Sequence, residues 1–187
     1  REAICGGQAQ IMMGAQESDP KQAAEDLALV LRSGMSEAGS NGRGILSTHL
    51  FADGSHYDSL YVDGGPGTTG QAGFLRMAGQ EVYRHAVHNM TKAVEIALEA
   101  NELTLPDIDL LVPHQANIRI AQMIQKRLKL RDDQVYSNIH KYGNTTAGSI
   151  PIALCEAMDE GRVKKGDLIV FAAFGSGFTW ASAIVKW

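Results

Sequence analysis

Two apolar runs, Ile108-Asp-Leu-Leu-Val112 and Asp167-Leu-Ile-Val-Phe-Ala-Ala173, most constrain what this chain can fold into. Both are too short for buried helices, and the second has no polar break after its first residue. Such runs read as strands covered on both faces, because a half-exposed strand alternates apolar and polar residues. Before and between them lie helical patterns. Val82, Ala86, Met90, Ala93, Val94, Ala97 and Leu98 share one face of a segment from Met77 to Ala100, which Asn101 ends. A second helix is expected over Asn117–Leu128. A third is expected over Thr146–Glu160, with Pro151 tolerated in its first turn. Further strands are expected at Gly44–Leu50, Gln134–Ser137 and Thr179–Lys186, and the glycine-rich residues 61–73 read as a loop. Upstream, residues 3–16 read as a helix and Leu27–Leu31 as a short strand. Alternating strands and helices predict an α/β fold, with a largely parallel sheet sandwiched between helices.

Composition excludes some classes of function. A net charge of −4 gives no general reason to expect a nucleic-acid partner. No apolar run approaches the ~18 residues of a membrane span, so no membrane association is expected. Two cysteines, Cys5 and Cys155, are too few for a disulfide framework, and a reducing cytoplasm is the default setting. The chain opens at Arg1, in mid-pattern, as a piece of a longer parent would. Basic residues gather at Arg119, Lys126, Arg127, Lys129 and Arg131, either as a solvated helix face or as a dock for an acidic partner.

Chemistry concentrates at two places. His114 follows the first strand at Val112-Pro-His-Gln-Ala-Asn117, the strand end at which open α/β sheets place ligands. Asn144 sits in Gly143-Asn-Thr-Thr-Ala-Gly148, among small residues that allow close approach to the backbone. An imidazole and an amide on rigid element ends can donate hydrogen bonds to a thioester oxygen as negative charge develops on it. The plainer alternatives are a structural histidine and a turn asparagine. Phe174-Gly-Ser-Gly-Phe178 is either a simple hairpin turn or a source of backbone N–H groups for an oxyanion. No metal site is expected: His85 and His88 lie one helical turn apart, but no third ligand is apparent. The loop at 64–70 lacks the Gly-Lys-Ser/Thr ending of a phosphate loop.

From Gly44 to Trp187 the sequence resembles the C-terminal half of β-ketoacyl-acyl carrier protein synthase III. The similar stretches are Gly44–Gly54, Met77–Tyr83, Val112–Arg119, His140–Ala147 and Ala173–Trp180, in order and at matching intervals. The resemblance implies a thiolase-like fold of α/β/α/β/α layers. Residues 44–187 would supply its C-terminal half, and residues 1–43 a remnant of an N-terminal half that is largely missing. It also implies a catalytic cysteine–histidine–asparagine set, in which His114 and Asn144 match the last two. Related condensing enzymes carry two histidines, so the asparagine points to the type III branch.

For the nucleophile, Ala3-Ile-Cys-Gly-Gly-Gln-Ala-Gln-Ile11 is similar to the superfamily's nucleophile helix, which makes Cys5 the candidate. A rival alignment lays Gly6–Glu17 on the family's glycine-rich stretch and leaves no nucleophile. Cys155, inside the helix Thr146–Glu160, fits neither. The same resemblance makes Gln115, Ala116, Asn117, Ile118 and Arg119 the expected carrier-protein contact, and Phe174 a substrate-pocket residue. It implies decarboxylative Claisen condensation of an acyl-CoA primer with malonyl-acyl carrier protein, initiating fatty acid biosynthesis. The enzyme would be a homodimer with coenzyme A thioesters as substrates and no cofactor. Two other readings stay open: a non-catalytic fragment or half-enzyme that needs a partner chain, and a polyketide starter synthase sharing the His and Asn.

Overall fold

The structure is a computed structural model that describes residues 42–187 except Pro66 and Thr68. The helix and strand expected upstream, and Cys5 with them, lie outside the described residues.

Four strands form the main sheet in the order β1-β6-β5-β4. These are β1 (Gly44–Ala52), β4 (Leu110–Pro113), β5 (Leu168–Gly175) and β6 (Thr179–Lys186). A separate two-stranded ribbon pairs β2 (Leu60–Val62) with β3 (Leu75–Met77). Only β4 and β5 run parallel; β6 is antiparallel to both of its neighbours, β5 and β1. The expectation of a largely parallel sheet is therefore corrected. The glycine turn after β5 is too short for a crossover, so β6 must return alongside its predecessor. The glycine-rich stretch also departs from a plain loop. Tyr61 and Val62 at its start belong to β2, which pairs with β3 just beyond its end, and Gly73 backs so closely onto Gly64 that a Cβ there would meet the Gly64 backbone.

Three helices fall close to their expected places, and a fourth, the short one at Ile139–Tyr142, was not expected. They are α1 (Gly79–Ala100), α2 (Ile118–Leu128), the short α3 (Ile139–Tyr142) and α4 (Ser149–Asp159). The segment expected as a strand at Gln134–Ser137 makes a single parallel bridge, Val135 to Leu111, behind a 3-10 turn at Asp132–Gln134.

The uninterrupted run in β5 explains the layering. Leu168, Val170, Ala172 and Phe174 join one core with the α1 residues Val87, Met90 and Val94 and with Ile124 of α2. Ile169 and Phe171 face the opposite side, where Ile150, Ala153, Leu154 and Ala157 of α4 cover them. Alternate β5 side chains thus enter two different cores, which is why neither face reads as polar. Each fully buried side chain of this size contributes roughly 1.5–3 kcal/mol. The result is a helix–sheet–helix sandwich that brings the carboxyl ends of β4 and β5 together.

Candidate active site

His114 continues the β4 ladder by one residue, its N–H donating to the Ala172 carbonyl at 2.8 Å. That places it at the carboxyl edge of the only parallel strand pair among the described residues, as expected for a ligand site in such a sheet. The ring is fixed from the far side of the sheet edge. Its Nδ1 lies 2.5 Å from Oγ of Ser149, the first residue of α4, which is 2% exposed. The same oxygen accepts the Gln115 backbone N–H at 3.2 Å. Ser149 is buried, and among the described residues Nδ1 is the only group placed to accept its hydroxyl proton, which assigns that proton to the His114–Ser149 bond. His114 then carries its own proton on Nε2, facing away from Ser149.

An edge of His114 stays accessible, but its protein surroundings are apolar enough that burial pushes its pKa down to about 4. No charged neighbour contributes to that shift. A histidine meant to become an imidazolium would have a carboxylate beside it. This one remains neutral at pH 7 and offers a single N–H.

Asn144 is exposed on the loop between α3 and α4. Its Oδ1 accepts the Thr146 backbone N–H at 2.9 Å, which assigns the amide orientation and leaves the Nδ2 hydrogens for a ligand. Two positive-φ residues flank it. Gly143 (φ 68°, ψ −156°) occupies a region that is almost exclusively glycine, and Thr146 (φ 50°) is left-handed despite its branched side chain. Backbone held in such regions costs about 1–3 kcal/mol per residue and persists only where its surroundings impose it.

The bracing is visible. Glu156 of α4 accepts hydrogen bonds from Tyr142 Oη (2.7 Å), Asn138 Nδ2 (2.8 Å) and Lys141 Nζ (3.3 Å), tying both ends of α3 to α4. The Tyr142 hydrogen bond, with those of Asn138 and Lys141, holds the Glu156 carboxyl below its ordinary range. Ser149 and Asn144 therefore belong to one braced unit: the first residue of α4 orients the imidazole, and Glu156 further along the same helix anchors the segment that leads into the amide loop.

Gln115 departs from the expectation of a carrier-protein contact. It is 3% exposed, and its amide is spent internally. Nε2 donates to the Pro113 carbonyl at 2.6 Å, while Oε1 accepts from Ser137 Oγ (2.8 Å) and the Asn138 N–H (3.2 Å). It locks the approach to α3 onto the end of β4. Of the other four expected contacts, Asn117, Ile118 and Arg119 are exposed and Ala116 is partly buried. Asn117 also caps α2, its Oδ1 accepting the Arg119 N–H at 2.9 Å.

Phe174 is buried near the end of β5, its ring 4.9 Å from that of Phe178. Phe178 does not offer its N–H to an oxyanion, because that group donates to the Asp53 carbonyl at 2.9 Å. Cys155 lies within α4, outside the site. Ser149 was not singled out from sequence; its one signal is position, five residues past Asn144 at the mouth of a helix.

Residues 98–187 match the family described as 3-oxoacyl-[acyl-carrier-protein (ACP)] synthase III C terminal. The β-ketoacyl-[acyl-carrier-protein] synthase III of Rhodospirillum centenum is 54% identical over 160 residues, covering 86% of this chain and 49% of that protein. The synthase III crystal structure from Thermus thermophilus is 42% identical with a TM-score of 0.73, over 79% of this chain and 47% of that one. The Aquifex aeolicus structure is 38% identical with a TM-score of 0.74, over 80% and 46%. The chain spans about half the length of the curated relatives it matches. Its layered α/β architecture is that of the thiolase fold, and over the C-terminal portion it matches the chain is similar to β-ketoacyl-[acyl-carrier-protein] synthase III.

Proposed function

We propose that this chain carries the decarboxylation half of a β-ketoacyl-acyl carrier protein synthase III site. The observation that carries the reading is the pair of neutral donors: the Nε2–H that Ser149 leaves on His114, and the Nδ2 hydrogens that Thr146 leaves on Asn144. Both donate to the carbonyl oxygen of a malonyl thioester. As the bond to the carboxylate breaks and CO2 leaves, its electron pair forms an enolate whose oxygen the two donors stabilise. The enolate carbon then attacks the acyl group held on a cysteine thioester. The tetrahedral adduct expels the thiolate and leaves a 3-ketoacyl thioester. Cys5 is the candidate for that cysteine, loaded from an acyl-CoA primer.

The malonyl group arrives on an acyl carrier protein, and support for this comes from the start of α2. Ile118 and Arg119 are exposed there, close in sequence to His114, and no carboxylate among the described residues pairs with Arg119, Lys126, Arg127 or Lys129. An acidic carrier would find those charges free. Arg131 is already engaged by Asp133 at 2.9 Å. Initiation of fatty acid synthesis in a reducing cytoplasm, as a homodimer with no cofactor, completes the reading. The 54% identity to a synthase III supports it over a polyketide starter enzyme.

The test uses the chain with malonyl-acyl carrier protein and acetyl-CoA separately. The expected results are CO2 release from the first, and from the second an acetyl adduct that Cys5→Ser abolishes. Neither CO2 nor adduct would overturn the reading in favour of a non-catalytic half. CO2 without adduct would move the nucleophile elsewhere.

A further inference from the structure

On the far end of the sheet edge, the fold assembles a cluster that the strand-end site does not use. The sequence offered only His85 and His88 as neighbours, and His88 points to solvent. His85 meets different partners. Glu81 lies one helical turn before it on α1, and His56 enters from the 3-10 turn Gly54–Ser59. One ligand atom from each of His56, Glu81 and His85 lies within 4.8 Å of the others. His56 Nδ1 is 3.7 Å from Glu81 Oε1, and its ring centroid is 4.2 Å from that of His85.

On the opposite edge of the same ring, His56 Nε2 faces Asp53 Oδ2 at 3.7 Å. Asp53 is itself fixed, accepting from the Ser55 N–H (3.0 Å) and Oγ (2.6 Å). No lysine or arginine among the described residues forms an ion pair with Asp53 or Glu81.

We propose that His56, Glu81 and His85 bind a divalent transition metal of the zinc class, with Asp53 holding the second nitrogen of His56. Four arguments converge on this. Two imidazoles and a carboxylate are a borderline-soft nitrogen–oxygen set, which suits zinc and its neighbours rather than magnesium or calcium. Tetrahedral ligands at zinc bond lengths stand about 3.4 Å apart, so the 3.7 Å pair is nearly in place, and the His85 ligand atom lies within 4.8 Å of both. A carboxylate on the non-ligating nitrogen of a histidine is the usual outer support of such sites, and here it selects Nδ1 of His56 as the ligand. Two carboxylates with no lysine or arginine partner among the described residues leave negative charge that a cation neutralises.

Glu81 and His85 sit on a rigid helix, while backbone pairing of Asp53 with Phe178 (2.8 and 2.9 Å) holds the start of the turn that carries His56. All three ligands are partly exposed, so water can complete the shell. Both histidine rings pack 5.2 Å from Phe178, which packs on Phe174. A bound ion would therefore clamp the Gly54–Ser59 turn and the first turns of α1 against the aromatic wall at the end of β5.

The full chain is titrated with Zn2+ in competition with a chromophoric chelator, and with Co2+ followed by visible absorption. One ion per chain is expected, with a ligand-field band for Co2+. His56→Ala and His85→Ala should each weaken binding more than tenfold, and Asp53→Asn by about tenfold. His140→Gln, remote in sequence, should leave binding unchanged. Glu81→Gln, which keeps shape, decides the matter if a histidine variant misfolds: it too should lose the stoichiometric ion. Absence of one-to-one binding, or binding that survives both His85→Ala and Glu81→Gln, overturns the proposal.

Discussion

His114→Ala and Asn144→Ala should each lower the rate of malonyl decarboxylation by about 10²–10³-fold, the usual cost of one donor to a developing oxyanion. Acyl loading from acetyl-CoA should change far less. The asymmetry follows from geometry. Each side chain has one hydrogen-bonding end committed to the protein, Nδ1 to Ser149 and Oδ1 to the Thr146 N–H, and only a donor end left. A donor acts where negative oxygen appears, which in this chemistry is the enolate formed as CO2 departs. His114 is also unsuited to activating a thiol by taking its proton, because burial pushes its pKa down to about 4. The measurements are CO2 release and intact mass after acetyl-CoA, made on the same preparations. Equal loss of loading and decarboxylation would sink the division of labour.

Gln115→Leu is the second large effect, and it falls on stability before activity. Leucine keeps the approximate volume of the buried side chain but removes three short hydrogen bonds at once. The Pro113 carbonyl, the Ser137 hydroxyl and the Asn138 N–H all lose a partner. Each polar group left buried and unpaired costs about 1–3 kcal/mol, so a loss of several kcal/mol is expected in chemical denaturation. Because Gln115 ties the residues before α3 to the end of β4, the variant should also displace the loop that carries Asn144. Decarboxylation would then fall with stability, while Arg119→Ala should weaken use of the carrier substrate without changing stability. A Gln115→Leu chain of normal stability and poorer carrier affinity would restore the surface-contact role expected from sequence.

The contrast between these residues shows what was legible beforehand. Helix α1 was plain because its apolar face repeats within a few residues, and His114 and Asn144 stood out because each closes a recognisable local pattern. Sheet direction was misread. Apolar runs report that a strand is covered on both faces, which holds for β5, but not which way its neighbour runs. The short glycine turn between β5 and β6 carried that information and pointed to an antiparallel return. Gln115 was misassigned because a polar residue beside the candidate-site histidine reads as surface when its burial depends on Ser137 and Asn138, more than twenty residues away. Ser149 and the approach of His56 to His85 were hidden for the same reason. Contacts that cross about thirty residues leave no periodicity to read.

The measurement that most directly tests the account is a 15N-edited NMR titration of the His114 ring in the full chain, with Ser149→Ala alongside. The prediction is a neutral ring at pH 7 with its proton on Nε2, titrating near pH 4 rather than at the ordinary 6.5. Stability should follow the same window. The unfolded chain takes up its proton first as pH falls, so this contribution is whole above pH 6.5 and is lost as pH drops towards about 4. In Ser149→Ala the Nε2–H preference should relax into a mixture of tautomers. A ring that titrates near 6.5, or carries its proton on Nδ1 in the unmodified chain, would contradict the claim that His114 meets the thioester as a neutral donor.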